Sequence, residues 1–512
     1  MKKALSYLLV LSLAVMMFSG CTVPPSPSVD VYEGTQITLS DSGITVDGSS
    51  ASADQEQAVY IANDIVYYED GHDFTYGEGS KEDAHSAEEA AAHTVVHITK
   101  PGMYILSGKL SLGQIAIDLG EDAKEDADAV VQLVLMGVDI TCTVAPAIIF
   151  YRVYECGSDD AEDASMDVYT DQAGANIIVA DGTENTVNGS YVARIYKPGT
   201  VELNEDGTEV KDAKKLHKYD GAVYSKMSMN VSGGSSGDGI LNINAENEGL
   251  DSELHLTIHG GCININSGND GINTNEDGVS VTTINGGTLN ILVNGATGEG
   301  DGIDSNGWLV INGGTVIAQA CSFSGDAGID SDMGIHINGG TVIATGNMLD
   351  HISESRQNYA VFQFAGSTSG TFTLINNIGA KLLQQTITNS FTYLVISRPG
   401  LVAEDYTLWQ DDTQLQGVAT ENMGGQGPGG MMPPEGMTPP DGGMEPPQGG
   451  MEPPQGQQPP AGGQPPQGGR PGEGNPNQQP GGGFAPGVGG KATKVFTIQD
   501  GGSYFVSVQK VQ

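Results

Sequence analysis

Basic residues are scarce in this 512-residue chain: Lys+Arg is 21 against Asp+Glu 64, a formal net charge of −43. Such a field repels a nucleic-acid backbone and an anionic membrane face, which excludes both as partners and leaves cations as the natural counterpart. Phe, Trp and Tyr make up only 6%. The five cysteines include no C-x-x-C, which removes zinc-knuckle and dithiol redox readings. There is no His/Cys cluster at metal spacing, and nucleophile-plus-base arrangements have no support. No acidic spacing matches an EF-hand loop. No segment carries a helical period with caps at both ends, and the apolar run at 8–18 is too short to be a confident membrane span.

What is present begins with that run. Lys2 and Lys3 precede it, and Ser19-Gly20-Cys21 and a Pro/Ser stretch at 24–28 follow it, which reads as a secretory signal over 1–20. The small-small-Cys ending resembles the lipobox of bacterial lipoproteins. That resemblance implies a lipidated Cys21, a tether over 21–32, and a body held at the cell surface outside the cytoplasm; the membrane is then touched only through the lipid. Ordinary cleavage near Cys21, giving a secreted protein, is the alternative. Export permits disulfides: Cys142 and Cys156, close in sequence, are placed for a local bridge, while Cys262 and Cys321 read as buried thiols.

From Thr94 onward short apolar stretches alternate with turn signals, and the 74 glycines supply the clearest pattern. Gly-Gly pairs begin at positions 233, 260, 286, 313 and 339, a nearly constant step along the chain. Around them recur Leu256/Ile258, Leu309/Ile311 and Ile335/Ile337 ahead, and Ile263/Ile265, Leu289/Ile291, Val316/Ala318 and Val342/Ala344 behind. Period-two alternation marks strands with one buried face, and Asn-Gly-Gly supplies the turn between them. The same apolar positions returning at that step describe stacked rungs burying one continuous core. The predicted fold class is therefore all-β, a parallel β-helix solenoid over 33–420 with loop excursions at 69–93 and 157–171, and with Thr288, Thr315 and Thr341 stacked outward. Residues 423–490 hold 17 Pro and 23 Gly in 68 positions. This predicts a disordered Pro/Gly/Met/Gln-rich insertion, a linker spanning 421–490. Alternating residues around Gln499-Asp-Gly-Gly502 predict a C-terminal β-hairpin over 491–512.

The corners of the repeat are loaded with carboxylates and amides. Stacked like charges repel unless cations or protons compensate. Oxygen donors of this kind suit Ca²⁺, and the candidate ligands are Asp270, Asn273, Asp277, Asp301, Asp304, Asp326, Asp330 and Asp332. Solvated Asp-Gly turns are the alternative.

The phrases Gly-Ile-Asp/Asn and Ile-Asn-Gly-Gly-Thr, preceded by Tyr104-Ile-Leu-Ser-Gly108, Thr183-Glu-Asn-Thr186 and Gly221-Ala-Val-Tyr-Ser-Lys226, resemble bacterial carbohydrate-binding domain-containing surface proteins. The resemblance spans roughly 33–420. It implies a right-handed β-helix similar to that of pectate lyases, Ca²⁺, and a polysaccharide partner, polygalacturonate or a cellulosic glycan.

Enzyme and binding module remain to be separated. Calcium-assisted β-elimination on a uronate needs a base, and the lyases of this architecture use Lys or Arg. None occurs between Met227 and Ser355, so a base would have to come from Lys197, Lys211, Lys214 or Lys215 in a distant loop. Calcium-dependent binding without catalysis is the expectation, with no catalytic residue named. Uronate lyase and structural or adhesive surface protein are the alternatives. An acidic surface reaches a uronate chain through bridging Ca²⁺, whereas a neutral glucan wants aromatic platforms. Trp308 is the named platform, outward opposite Leu309 and Ile311, and Trp409 with Tyr406 is a second candidate patch.

Overall fold

The computed structural model describes residues 30–421 and 491–511. The expected signal segment, Cys21 and most of the tether lie outside the described residues, as does nearly all of the Pro/Gly-rich segment. Among the described residues the chain is all-β. The exceptions are a short α-helix, Ala87–Ala91, and a 3-10 turn, Glu121–Glu125. The helix lies in the first acidic excursion, where the Ser86 side chain caps it by accepting from the Glu89 N–H. It is too short to leave a periodic signature. No helix among the described residues is long and apolar enough to cross a membrane.

Three parallel ladders organise the body. The first runs through Gly102–Leu110, Val131–Thr141, Ala175–Val179, Met229–Gly233, Leu256–Ile258, Val281–Ile284, Trp308–Ile311 and Gly334–Ile337. The second continues from Val131–Thr141 through Glu184–Gly189, Ile240–Ala245, Cys262–Ser267, Thr288–Val293, Thr315–Gln319 and Thr341–Gly346. The third joins Thr94–Ile98, Gly113–Asp118, Ile148–Arg152, Gly221–Ser225, Glu248–Ser252, Ile272–Thr274 and Ile303–Ser305. The sheets are mixed, because antiparallel strands join them near both ends. The less regular stretch from residue 94 thus belongs to the same ladders as the glycine repeats.

The recurring apolar residues form one core. Leu256, Ile258, Ile263, Ile265, Leu289, Ile291, Leu309 and Ile311 are fully shielded, or within one per cent of it. Between the first and second ladders the chain turns on the second glycine of the last four pairs; Gly261, Gly287, Gly314 and Gly340 all have positive φ. A Cβ on Gly314 would lie 2.7 Å from the carbonyl oxygen of Gly287 in the rung before it. Thr288, Thr315 and Thr341 stand in register on the outer face. Amides do the same: Asn264 donates to Asn242, and Asn290 to Asn264, each at 2.8 Å. On the first ladder's outer edge Asn312 donates to Asn285 and Asn338 to Asn312, each at 3.0 Å.

Two additions depart from the ladders. Val192–Tyr196 pairs antiparallel with Lys215–Tyr219, making a hairpin that projects from the third side. At the other end Tyr359–Asn376 and Lys381–Ser397 pair antiparallel over most of their length, and the latter also pairs with Thr341–Gly346. The two strands of the expected C-terminal hairpin do not pair with each other and instead join the sheet as a built-in closure. Phe496–Thr497 pairs with Asp405–Gln410, and Gly502–Lys510 lies between Tyr359–Asn376 and Thr413–Thr420. Phe496 and Phe505 are buried with Phe362 in a second core, and that apolar face is what draws the chain end into the sheet.

The cysteine expectations need correction. Cys142, Cys156 and Cys321 are free, so no 142–156 bridge forms. Cys142 donates its backbone N–H to Asn188 beside the second ladder, whereas Cys156 lies beyond the third-ladder strand Ile148–Arg152 and its thiol points to the Tyr169 carbonyl. Cys262 and Cys321 are both buried, as expected.

Candidate functional site

Each third-ladder strand turns its aliphatic residue inward and the next residue outward. Leu250, Ile272 and Ile303 are buried, so Asp251, Asn273 and Asp304 stand one above another in register. Asp330 follows in the next rung, donating its backbone N–H to the Ile303 carbonyl at 2.7 Å. A second acidic line runs along the preceding corner. The Asp301 N–H donates to the Asp270 carboxylate at 2.6 Å, the Ala327 N–H to Asp301 at 2.5 Å, and the Gly300 N–H to Asp326 at 2.6 Å. Six of the eight expected ligands, Asp270, Asn273, Asp301, Asp304, Asp326 and Asp330, are therefore brought into one acidic strip. Asp277 and Asp332 are exposed at its flank.

Burial and mutual repulsion both act on this strip. Burial, with Asp326 and Glu299 adding to it, pushes the Asp270 carboxyl up to about 7 against the pull of the Asp301 N–H. Burial and the charge of Asp270 take Asp304 up to about 7, and burial with Asp350 takes Asp330 up to about 8. Asp301 is raised well above the ordinary range by burial and then by Asp270. These groups want a proton or a cation.

The tightest cluster lies one rung earlier. Asp220, Glu248 and Asp251 each present a carboxylate oxygen, and these atoms lie within 4.8 Å of one another. All three residues are buried. Glu248 accepts from the Asn273 side chain at 3.2 Å through one oxygen, and Asp251 from Asn275 at 2.7 Å through one oxygen. The other oxygens, Glu248 Oε2 and Asp251 Oδ2, have no partner, and neither has the Asn273 carbonyl Oδ1. Burial, reinforced by the neighbouring carboxylates, raises Glu248 and Asp251 well above the usual range. Lys218, delivered by the projecting hairpin, pairs with Asp220 at 2.6 Å and supplies one compensating charge. Unpartnered buried oxygens are costly, and an all-oxygen set is the donor type that a hard divalent cation such as Ca²⁺ takes. The donors therefore fit the ion. Sequence reasoning missed Asp220, Glu248 and Lys218. Asp251 carries the signal that would have found the cluster, because Gly249-Leu-Asp251 is the same landmark as Gly271-Ile-Asn273 and Gly302-Ile-Asp304.

A groove of about 630 Å³ lies over the outer face of the first ladder. Its floor is the Asn285, Asn312 and Asn338 amide ladder with Thr257, Thr283 and His336. The second acidic excursion forms one rim, held down where the Thr170 hydroxyl donates to Asn230 at 2.7 Å and bonds the Thr257 hydroxyl at 2.6 Å, and it displays Tyr169 at 85% exposure. Arg356 also lines the groove. Trp308 is half-buried on the ladder and does not line the groove. The second aromatic patch does not exist: Tyr406 is buried and Trp409 half-buried. At an odd spacing on one strand, they face opposite sides.

A family model described as carbohydrate-binding domain-containing protein matches residues 92–377, more than half of the chain. No curated protein matches it. Among solved structures it is similar to the polysaccharide lyase-like protein from C. thermocellum, determined as a gadolinium derivative. The identity is 20%, the TM-score is 0.35, and 63% of this chain and 94% of that chain are covered. On the family match, this chain belongs to the carbohydrate-binding domain-containing proteins.

Proposed function

We propose that the protein binds a polysaccharide, acidic and pectin-like or cellulosic, at the bacterial cell surface, with Ca²⁺ and without catalysis. The observation that carries this reading is the groove over the first ladder. Its hydrogen-bonding amides form a regular line from rung to rung, a polar track along which the hydroxyls and carboxylates of an extended glycan chain can be bonded. Asp220, Glu248, Asp251 and Asn273 would hold one ion, with the Asp270–Asp330 strip as further donors. A bound ion supplies positive charge that compensates the buried carboxylates and lets an acidic glycan approach an acidic protein. In the finer architecture we take the three ladders as the faces of a right-handed parallel β-helix, anchored through a lipid on Cys21.

β-Elimination is the second reading, and one observation favours it. The hairpin places Lys215 and Lys218 at the acidic cluster, Lys215 reaching Glu253 at 3.0 Å. Against a basic role, desolvation acts to lower the Lys218 pKa, but Asp220, Glu248 and Asp251 together outweigh it and keep the ammonium protonated. Lys218 reads better as a counter-ion than as a base.

The test is calorimetric. Ca²⁺ is titrated into EDTA-treated protein, and polygalacturonate and cello-oligosaccharides follow with and without the ion. Calcium-dependent glycan heat with no unsaturated uronate in the ultraviolet is the expected result. Appearance of the unsaturated product establishes the lyase, and absence of any glycan heat removes the binding reading.

A further inference from the structure

We propose a second carbohydrate site, separate from the ladder groove, in the cleft between the 65–76 excursion and the 195–217 hairpin, selective for a neutral pyranose oligosaccharide. The cleft encloses about 770 Å³, within the range of small-ligand sites. In a chain with so few aromatics it gathers Tyr67, His72, Tyr76 and Tyr196 around one concavity.

The rings are held in place before any ligand arrives. His72 and Tyr76 stack at 4.0 Å with planes 15° apart, and buried Tyr68 supports Tyr76 edge-on at 5.0 Å. Glu69 fixes the far side of the His72 ring at 2.8 Å. The two walls are stitched together: the Tyr196 N–H donates to the Tyr76 carbonyl and the Glu78 N–H to the Arg194 carbonyl, both at 2.8 Å. Arg194 also pairs with Glu78 at 3.0 Å. This seam requires glycine at 77, where a Cβ would lie 2.0 Å from the Arg194 oxygen. A sugar presents an apolar C–H face and a rim of hydroxyls, which calls for ring faces bordered by donors and acceptors. Here the rings are bordered by Asp73 and Thr75 on one wall and Lys197 on the other, while Leu216 adds apolar surface at 41% exposure. Glu69 and Asp73 against the single fixed cation Lys197, on a protein of net charge −43, disfavour a uronate and favour a neutral sugar.

The experiment titrates cellohexaose and, separately, polygalacturonate with Ca²⁺ into the purified protein and its variants. For Tyr67→Ala and His72→Ala the cellohexaose affinity is expected to fall about tenfold, with Tyr67→Phe within about twofold, because the ring face and not the hydroxyl is used. Polygalacturonate binding stays unchanged in all three. In the unaltered protein, cellohexaose shifts the Leu216 methyl resonances. If cellohexaose does not bind, binds the alanine variants as well as the parent, or leaves Leu216 unmoved, the cleft is not the site. The Leu216 resonances read the cleft alone, because Leu216 lines it and not the ladder groove, so the failure of either site is recognised separately even if the groove also takes cellohexaose.

Discussion

The rungs between residues 229 and 346 and the closing block formed by 359–420 with 496–510 are both β-structure, yet they are held together in opposite ways. In the rungs every parallel neighbour repeats its register, so several residue types are stacked on their own kind. Isoleucine columns make the core, asparagine columns bond amide to amide, and aspartate columns accumulate charge. In the closing block the strands are antiparallel except for Gly502–Lys510, which runs parallel to Tyr359–Asn376, and nothing repeats. Its core is filled by rings, and it takes six of the eleven phenylalanines: Phe362, Phe364, Phe372, Phe391, Phe496 and Phe505. Repetition creates sites by multiplying polar groups, whereas the aromatic block stabilises and carries no acidic strip.

The contrast is broken most forcefully by taking a ring from the block. Phe362 is fully buried between Phe496 and Phe505, and Phe362→Ala is expected to cost about 4 kcal/mol, read by denaturant unfolding. The rungs fail to the reverse change, an added methyl. Gly302→Ala places a Cβ 2.3 Å from the Gly328 oxygen and 2.9 Å from the Ala318 Cβ, and should cost about 2 kcal/mol in the same assay. Gly366→Ala in the block meets nothing within 4 Å and should stay within about 0.5 kcal/mol. Equal losses at 302 and 366 would dissolve the distinction.

A smaller effect sharpens it through pH. In calcium-free protein Asp270 and Asp304 sit at about 7 and Asp330 at about 8 when folded, above their ordinary value when unfolded. Between roughly pH 4 and pH 8 the native state therefore binds more protons than the unfolded chain, and stability falls as pH rises through that window. The melting temperature should drop by about 5 °C across it, and added Ca²⁺ should restore it most at the alkaline end. A flat profile would mean that the strip is solvated and carries no penalty.

The rungs were legible because stacking forces periodicity on the sequence, so the spacing of Leu289, Val316 and Val342 already implied their shared core. The strip was legible for the same reason. The Asp220, Glu248 and Asp251 cluster was not, because it straddles rungs of unequal length and its counter-ion Lys218 comes from a hairpin outside the repeat. The cleft between the excursion and the hairpin joins segments that lie far apart along the chain and share no period. Tyr406 misled because proximity in sequence says nothing about side when the spacing along a strand is odd.

The ladders keep register although their connecting corners do not keep length. The chain from Leu250 to Ile272 is shorter than the chain from Ile272 to Ile303, yet all three side chains are stacked in the same column. Between residues 229 and 346 surplus chain is discharged sideways at the corners, in segments such as 294–299, whereas the earlier strands Gly102–Leu110 and Gly113–Asp118 carry register shifts within them. The fold thus has built-in slack: corner segments can gain or lose residues without shifting any neighbour, which makes them the natural places to graft a loop or vary a specificity while the stacked frame stays as it is.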